Sequence, residues 1–343
     1  MSARRATLLL LCCVVSACRL PGVDRERLPE ALVAIHHRTP EEARRRAESW
    51  RLREAAQPAG VASRAGRGVP HVDELRDLLG RALGRPRDSE PSSPGALALL
   101  DPRSGALRRI AAVTPGAVPQ AWSGDRSRLM YRAHDGSRLQ LWEFALESGE
   151  VRPLTRGRHA HPEGCYAWQD RLVVTVLEHE QESFRSWVAL TAPGGRGPYR
   201  VLSEGPTNHS PSCAPDGRSA VWVDEARSGR PELRSRRLAE GGALRQLSAG
   251  TDPTFSPDGR WLVFSARTGG HFRLWRMRPD GSARAPLGET ELDALSPSVS
   301  PDGTFVVYVA SEQPPHRQLW LREFGTGGQR MLPVHGEADS PVW

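Results

Sequence analysis

A short word recurs through most of the chain, and its spacing constrains the fold more than any other feature. The word is Pro-Asp-Gly followed by an apolar run, and it is intact around Asp216, Asp258 and Asp302. Looser copies surround Asp125 and Asp170, so the intervals between successive aspartates are 45, 46, 42 and 44 residues. A nearly constant period of this length indicates an architecture of stacked repeats.

Each unit of the repeat has the pattern of four short strands. Pro fixes φ near −65° and Gly tolerates positive φ, so the word predicts a tight turn between the first two strands of a unit. The Asp side chain can hydrogen-bond to nearby backbone in such a turn. We therefore assign Asp216, Asp258 and Asp302 to structural turns. The units at Asp125 and Asp170 lack the word, and we expect looser turns there.

Four short strands in each interval are typical of a propeller blade, so the sequence predicts an all-β fold. The end of the chain, "ADSPVW", matches the opening strand of a unit, and residues 95–113 match the last two strands. Five full units and one composite unit predict a six-bladed β-propeller closed by terminal strands, which removes open sheet edges. No second strand for the composite blade is evident. Aromatic residues inside the strands are expected to pack between blades: Trp222, Phe264, Trp275, Tyr308 and Trp320.

The repeated word resembles the WD40-like PD40 repeats of the TolB propeller family. The three intact words carry the resemblance, which covers residues 95–343. It implies a six-bladed propeller that works as a non-enzymatic partner in the cell envelope and binds a peptidoglycan-associated lipoprotein. TolB proteins carry an N-terminal domain of mixed structure, whereas the N-terminal segment here is shorter and reads as helical. We therefore carry over the fold and leave the exact Tol–Pal role open.

Residues 1–17 have the order of an export signal. Arg4 and Arg5 precede an apolar run over residues 7–15 that is too short to span a bilayer as a helix. The tetrapeptide V-S-A-C, which ends at Cys18, resembles a bacterial lipobox and implies a lipid-modified Cys18. We expect a membrane-anchored lipoprotein facing the periplasm, and Arg19 at the next position favours the outer membrane. An ordinary signal peptide cleaved near a cysteine is the alternative.

Residues 18–94 differ from the repeats and are predicted to be a tether with two short helices and linkers. Thr39 can cap a helix that has Pro40 in its first turn and Glu42 near its positive end. Residues 71–85 carry apolar side chains along one helical face. That face suits packing on the propeller or, alternatively, on a membrane surface.

The charge pattern does not favour a nucleic-acid partner. The chain has a formal net charge of +7, and all 47 basic residues are arginines. Residues 95–343 contain 30 arginines and 28 acidic residues, so the excess lies before them. Since the arginines are scattered, no long-range field attracts an anionic partner.

We expect a monomer that binds an envelope protein or peptide and no nucleic acid.

A metal-dependent propeller lyase or hydrolase acting on glycans is the alternative function. His159 and His161 lie on the same side of an extended segment, and a third ligand such as His209 could join them. The alternative is that these are exposed loop histidines, and the spacing typical of zinc sites is absent. No Gly-x-Ser-x-Gly elbow occurs. We assign no catalytic residue and no cofactor.

The mouth of the channel is the usual binding surface of a propeller. Polar residues that enter the first strands are expected to line it and could bind a peptide or glycan. These residues are Asn208, His209, Asp252 and Ser296. The alternative is that they only form turns and strand entries.

Two cysteines, Cys165 and Cys213, remain in the predicted propeller. An exported compartment permits a disulfide. Their spacing fits no disulfide framework, so the sequence gives little reason to pair them.

Overall fold

The computed structural model describes residues 27–45, 47–48, 95–180, 183–194, 198–225, 230–288, 292–311 and 317–343. The export signal, Cys18 and the stretch 71–85 lie outside these residues, so the predictions about them remain predictions. Within the described ranges, no helix has the length and apolar character needed to cross a lipid bilayer.

The described residues form six antiparallel four-stranded sheets, which are the six blades of a propeller. One blade, which we call the closing blade, uses the first three strands and the last. Its first three strands are β1 (Val33–Arg38), β2 (Ala96–Leu100) and β3 (Leu107–Arg109). Blade one has β4 (Val118–Trp122), β5 (Arg128–His134), β6 (Leu139–Ala145) and β7 (Val151–Pro153). Blade two has β8 (Ala160–Tyr166), β9 (Leu172–Glu180), β10 (Ser183–Thr191) and β11 (Arg200–Val201).

The remaining blades follow in the same order, from the innermost strand to the outermost. Blade three has β12 (Asn208–Cys213), β13 (Ser219–Glu225), β14 (Pro231–Arg237) and β15 (Leu244–Ala249). Blade four has β16 (Thr251–Phe255), β17 (Leu262–Thr268), β18 (His271–Met277) and β19 (Ala285–Pro286). Blade five has β20 (Asp293–Val299), β21 (Phe305–Ser311), β22 (Gln318–Glu323) and β23 (Gln329–Met331). The last strand, β24 (Glu337–Val342), is the innermost strand of the closing blade. The prediction of an all-β, six-bladed propeller is confirmed.

The closing blade is complete, and its second strand comes from an unexpected part of the chain. Its strand order is β24-β1-β2-β3, so β1 lies between the C-terminal strand and β2. The sequence pattern assigns these residues to the tether and predicts no second strand for this blade. The structure corrects that assignment for Val33–Arg38. The strand escaped detection because it lies far from the repeats and has no turn word before it.

Two histidines of β1 are almost fully buried. His36 Nδ1 donates to the carbonyl oxygen of Ala117 at 2.8 Å, and His37 Nε2 donates to that of His335 at 2.9 Å. Burial and the charge of Arg38 lower the pKa of His36 to about 4, so its ring is neutral at pH 7. Because backbone carbonyl oxygens accept hydrogen bonds from both rings, these histidines add no unpaired donor to the closing blade.

Apolar side chains fill each of the six seams between neighbouring blades. Successive residues of a strand point to opposite faces, so one strand contributes to two seams. In β1, Ile35 packs with Phe305 of blade five, whereas Ala34 packs with Leu129 of blade one. The prediction of packing between blades is confirmed for three aromatic residues, each at most 1% exposed: Trp222, Phe264 and Tyr308.

The turn aspartates hold the hairpins between the first and second strands. In Asp216, Asp258 and Asp302, one carboxylate oxygen accepts a hydrogen bond from the backbone N–H of the residue two positions later, at 2.9–3.1 Å. The glycines that follow have φ of +66° to +72°. The turns without the word are equally tight, contrary to expectation. Arg126 takes the glycine's place at φ +59°, and Gln169 and Asp170 both have φ +56°, as in a type I′ turn.

A short helix follows β1 and begins as the sequence predicts, and its described residues are 40–45 and 47–48. Thr39 Oγ1 accepts the backbone N–H of Glu42 at 3.2 Å, and the Glu42 carboxylate accepts that of Thr39 at 2.7 Å. This is a capping box. Glu42 also pairs with Arg109 of β3 at 2.5 Å. The helix start is therefore attached to the closing blade.

The position of Ile35 predicts that β1 is needed for stability. Ile35 is fully buried in the seam with blade five, so Ile35→Ala leaves a cavity there. We expect a loss of about 2–5 kcal/mol in the free energy of unfolding, measured by urea denaturation. The control is Val201→Ala, because Val201 is 52% exposed on an outermost strand. Equal effects of the two substitutions would contradict the placement of β1.

Candidate functional site

The innermost strands of the six blades surround a central channel. A cavity of about 460 Å³ lies within it and is bordered by residues of all six innermost strands. A cavity of this volume is in the range that binds a small ligand or a short peptide segment. The channel is therefore the main candidate for a binding site.

Four residues of the channel wall share a left-handed backbone. Their φ angles are +49° to +51°, and a proline follows each of them: Ser210, Asp252, Ser296 and Ser340. The pairing with the second strand shifts register at this point in blades three, four and five. A bulge bends a strand and changes the direction of a side chain. The repeat thus places a short polar residue and a proline on the channel wall in four blades.

Two carboxylates of the wall are bound to the neighbouring blade. Glu163 of blade two accepts the backbone N–H of Ser210 in blade three at 2.5 Å, and the Thr175 hydroxyl at 3.1 Å. Asp252 of blade four accepts the backbone N–H of Ser296 in blade five at 2.9 Å. Hydrogen bonds to charged acceptors are stronger than neutral ones. These contacts fix two negative charges on the wall and link adjacent blades.

Positive charge lies on the blade-one part of the wall. Arg126 and Arg132 border the cavity. The Arg126 guanidinium donates to the carbonyl oxygen of Leu32 at 3.1 Å and lies 5.0 Å from the ring centre of Trp122. Burial lowers the pKa of Arg126. The channel therefore offers both signs of charge to a ligand.

A disulfide joins two innermost strands at the channel. Cys165 of blade two and Cys213 of blade three are bonded, with their Cα atoms 5.7 Å apart. The cysteine spacing gives little reason to pair them, whereas the structure shows that they are bonded. The separation of 48 residues is close to one repeat, so the two cysteines occupy neighbouring strands of the ring.

The four predicted residues of the channel mouth separate into two pairs. Asp252 and Ser296 border the cavity, as expected, and their binding role stays a prediction. Asn208 does not border it: it is fully buried, its amide donates to the carbonyl of Glu204 at 2.9 Å, and its oxygen accepts the Trp222 indole N–H at 3.1 Å. Asn208 therefore supports the entry into blade three.

His209 does not border the cavity either. It is 2% exposed, and its ring nitrogens contact Ser210 Oγ at 3.0 Å and Glu225 Oε1 at 3.2 Å. Burial opposes protonation, but the Glu225 hydrogen bond and the charges of Glu163, Glu225 and Asp252 outweigh it and raise the pKa of His209. The ring is a partner of Glu225 inside blade three and does not line the channel.

His159 and His161 lie close together, but the structure gives His161 another role. Its Nδ1 donates to Gln140 Oε1 at 2.8 Å, and its Nε2 accepts the Tyr199 hydroxyl at 2.8 Å. Burial lowers the pKa of His161 to about 4, and that of His159 is also lowered by burial. Among the described residues, no three His, Cys, Asp or Glu side chains form a group that could hold a metal ion.

Glu163 and Ser340 are wall residues that the sequence analysis did not select. Ser340 stands at the same place in the repeat as Asp252 and Ser296, directly before a proline. The signal was a Ser or Asp before proline in the first strand of each unit, as in "HSPS", "TDPT", "LSPS" and "DSPV". Glu163 carried no such signal, because the residue before its innermost-strand proline is His161.

The disulfide predicts a large contribution to stability. A cross-link across 48 residues restricts the unfolded chain by about 4 kcal/mol in the loop-entropy model. We expect Cys165→Ser/Cys213→Ser to lower the free energy of unfolding by up to that amount, measured by urea denaturation. The control is the native protein with a reducing agent present throughout, which should give the same loss. Alkylation of both cysteines in unreduced, denatured protein would contradict the bond.

The comparisons with known proteins agree with a propeller of the TolB kind. No protein-family model matches the chain. The Tol-Pal system protein TolB of Anaeromyxobacter dehalogenans is 32% identical over 173 residues, which cover 49% of this chain and 39% of that protein. The protein TolB homolog of Chlorobium luteolum is 30% identical over 123 residues, or 35% and 28% of the two chains. The chain thus matches less than half the length of these relatives.

Two solved structures have a similar fold. TolB from Acinetobacter baumannii has a TM-score of 0.61 and 18% identity, with 73% of this chain and 64% of that one covered. The putative TolB from Agrobacterium tumefaciens has a TM-score of 0.58 and 20% identity, with 71% and 90% covered. At these identities the likeness concerns the fold. The chain is an all-β, six-bladed propeller similar to the propellers of TolB proteins.

Proposed function

We propose that this protein is an exported, lipid-anchored component of the cell envelope whose propeller binds a protein or peptide segment at its channel. It acts as a scaffold and not as an enzyme. The alternative of a metal-dependent glycan enzyme has less support, because both ring nitrogens of His161 are held by neighbouring side chains.

The composition of the channel wall is the main support for this proposal. It is lined by prolines and short polar residues, and its carboxylates are already oriented by the next blade. A rigid wall loses little conformational entropy when a ligand binds, which favours affinity. Carboxylates on two blades and arginines on another suit a peptide segment that carries both signs of charge.

The proposed location rests on the first residues of the chain. The charged and apolar order of residues 1–17 and the V-S-A-C word at Cys18 support export and lipid attachment. One relative described above, from Anaeromyxobacter dehalogenans, is named as a Tol-Pal system protein. From that name we infer only the general role of this protein, which is that of a non-catalytic member of an envelope assembly.

Site-specific crosslinking tests the binding surface. A photoreactive amino acid is placed at Gln120 or Thr254, which border the cavity and have ordinary backbone angles. Matched controls carry it at Val201 or Met331, which are 52% and 44% exposed on outermost strands. We expect irradiation of intact cells to give a discrete adduct from the channel positions and none of that mass from the controls.

The adduct is identified by mass spectrometry. A partner from the envelope, captured from both channel positions, supports the proposal. No adduct from either channel position, or the same adducts from all four positions, would contradict it.

A further inference from the structure

A second cavity lies away from the channel, between blades three and four. Its volume is about 490 Å³, and it is bordered by the start of β14, the link from β15 to β16, and the hairpin between β17 and β18. Three of its ten lining residues are arginines, Arg230, Arg267 and Arg284, and none is acidic. We call this cavity the arginine groove.

The three arginines have no acidic partner in the described part of the chain. None of them forms an ion pair or a hydrogen bond there, and all three side chains are exposed. Aromatic rings orient two of them. The Arg284 guanidinium lies 4.1 Å from the ring centre of Trp275, and that of Arg267 lies 5.8 Å from Phe272. A guanidinium that stacks on a ring keeps its N–H edge available for a ligand.

The hairpin that carries Arg267 is short and well defined. Thr268 pairs with His271, so Gly269 and Gly270 form a two-residue turn. Both have positive φ, +60° and +89°, as a type I′ turn requires. A tight turn restricts the position of Arg267 at the groove more than a long loop would. The groove is therefore largely formed before any ligand binds.

The part of the chain that carries the groove has an excess of positive charge. Residues 230–288 contain 11 arginines and 5 acidic residues, whereas residues 95–343 together contain 30 and 28. The rest of the propeller therefore has an acidic excess. The even balance over the whole propeller hides this difference between blades. A local field of this kind attracts anions to blades three and four.

We propose that the arginine groove binds a phosphate ester. A phosphate presents several strong acceptor oxygens that two or more guanidinium groups can share, and paired N–H donors match its geometry. The other walls are apolar and include Pro231, Ala266 and Phe272. They suit the carbon skeleton of the ester more than a bare inorganic ion. The phosphate comes from a lipid headgroup or from a soluble phosphorylated compound.

Calorimetry and vesicle binding distinguish the two sources. Both use the chain from residue 18 onward with Cys18→Ser, so that neither the apolar run of the export signal nor an attached lipid brings the protein to a membrane. The soluble probe is glycerol 3-phosphate, with glycerol as the uncharged control. The lipid probe is phosphatidylcholine vesicles with and without phosphatidylglycerol. We expect saturable binding to one phosphate probe, and Arg267→Gln/Arg284→Gln to weaken it about tenfold or more.

The matched control is Arg108→Gln/Arg156→Gln, which removes the same charge from exposed arginines outside the groove. We expect it to leave binding nearly unchanged. Arg267→Lys/Arg284→Lys keeps the charge but not the paired donors, and should bind more weakly than the native chain. Equal losses in the groove and control variants, at equal thermal stability, would overturn the proposal, as would no binding of either probe. Crosslinking at the channel is independent of these outcomes.

Discussion

The rest of the structure depends on packing between blades. Each sheet has two apolar faces, and a single blade cannot cover both of them. Only a closed ring places a neighbour on each face, and the six apolar clusters lie at the six seams of that ring. The seam between blade five and the closing blade depends on Ile35, which comes from β1. Closure also places Arg38 of β1 beside the buried Asp339 of β24 at 2.8 Å.

Ring closure also explains how the channel is built. The innermost strands bring bulged residues from successive blades onto one wall, and the contacts of Glu163 with Ser210 and of Asp252 with Ser296 cross from blade to blade. The Cys165–Cys213 disulfide does the same covalently. A rigid ring thus supports the binding surface, and a strained backbone at positions such as Ser210 is tolerated because its neighbours hold it.

The repeat made most of the fold predictable from the sequence. The turn word set the period, and the alternating strand after it placed Phe264 and Tyr308 in seams. What the repeat could not predict lies outside its pattern. The strand Val33–Arg38 has no turn word and pairs with residues at the other end of the chain. Pairing of this kind depends on closure of the ring, which local sequence does not encode.

The candidate site was predictable only in part, for a related reason. Asp252 and Ser296 were expected at the channel and lie there. Asn208 and His209 are also polar and also enter a first strand, but they hydrogen-bond to Trp222 and Glu225 instead. The alternation of a strand changes at the bulge, so the direction of these side chains was not evident from the sequence. The excess of arginines in residues 230–288 is not visible when the charged residues of the whole propeller are counted together.

The central claim is that residues 33–38 form an integral strand of a closed six-bladed ring. Hydrogen exchange of the native full chain, followed by mass spectrometry, tests it most directly. If β1 is paired on both sides, its amides exchange as slowly as those of β24 and become exposed in the same unfolding event. Rapid exchange of residues 33–38 while β24 remains protected would contradict the account.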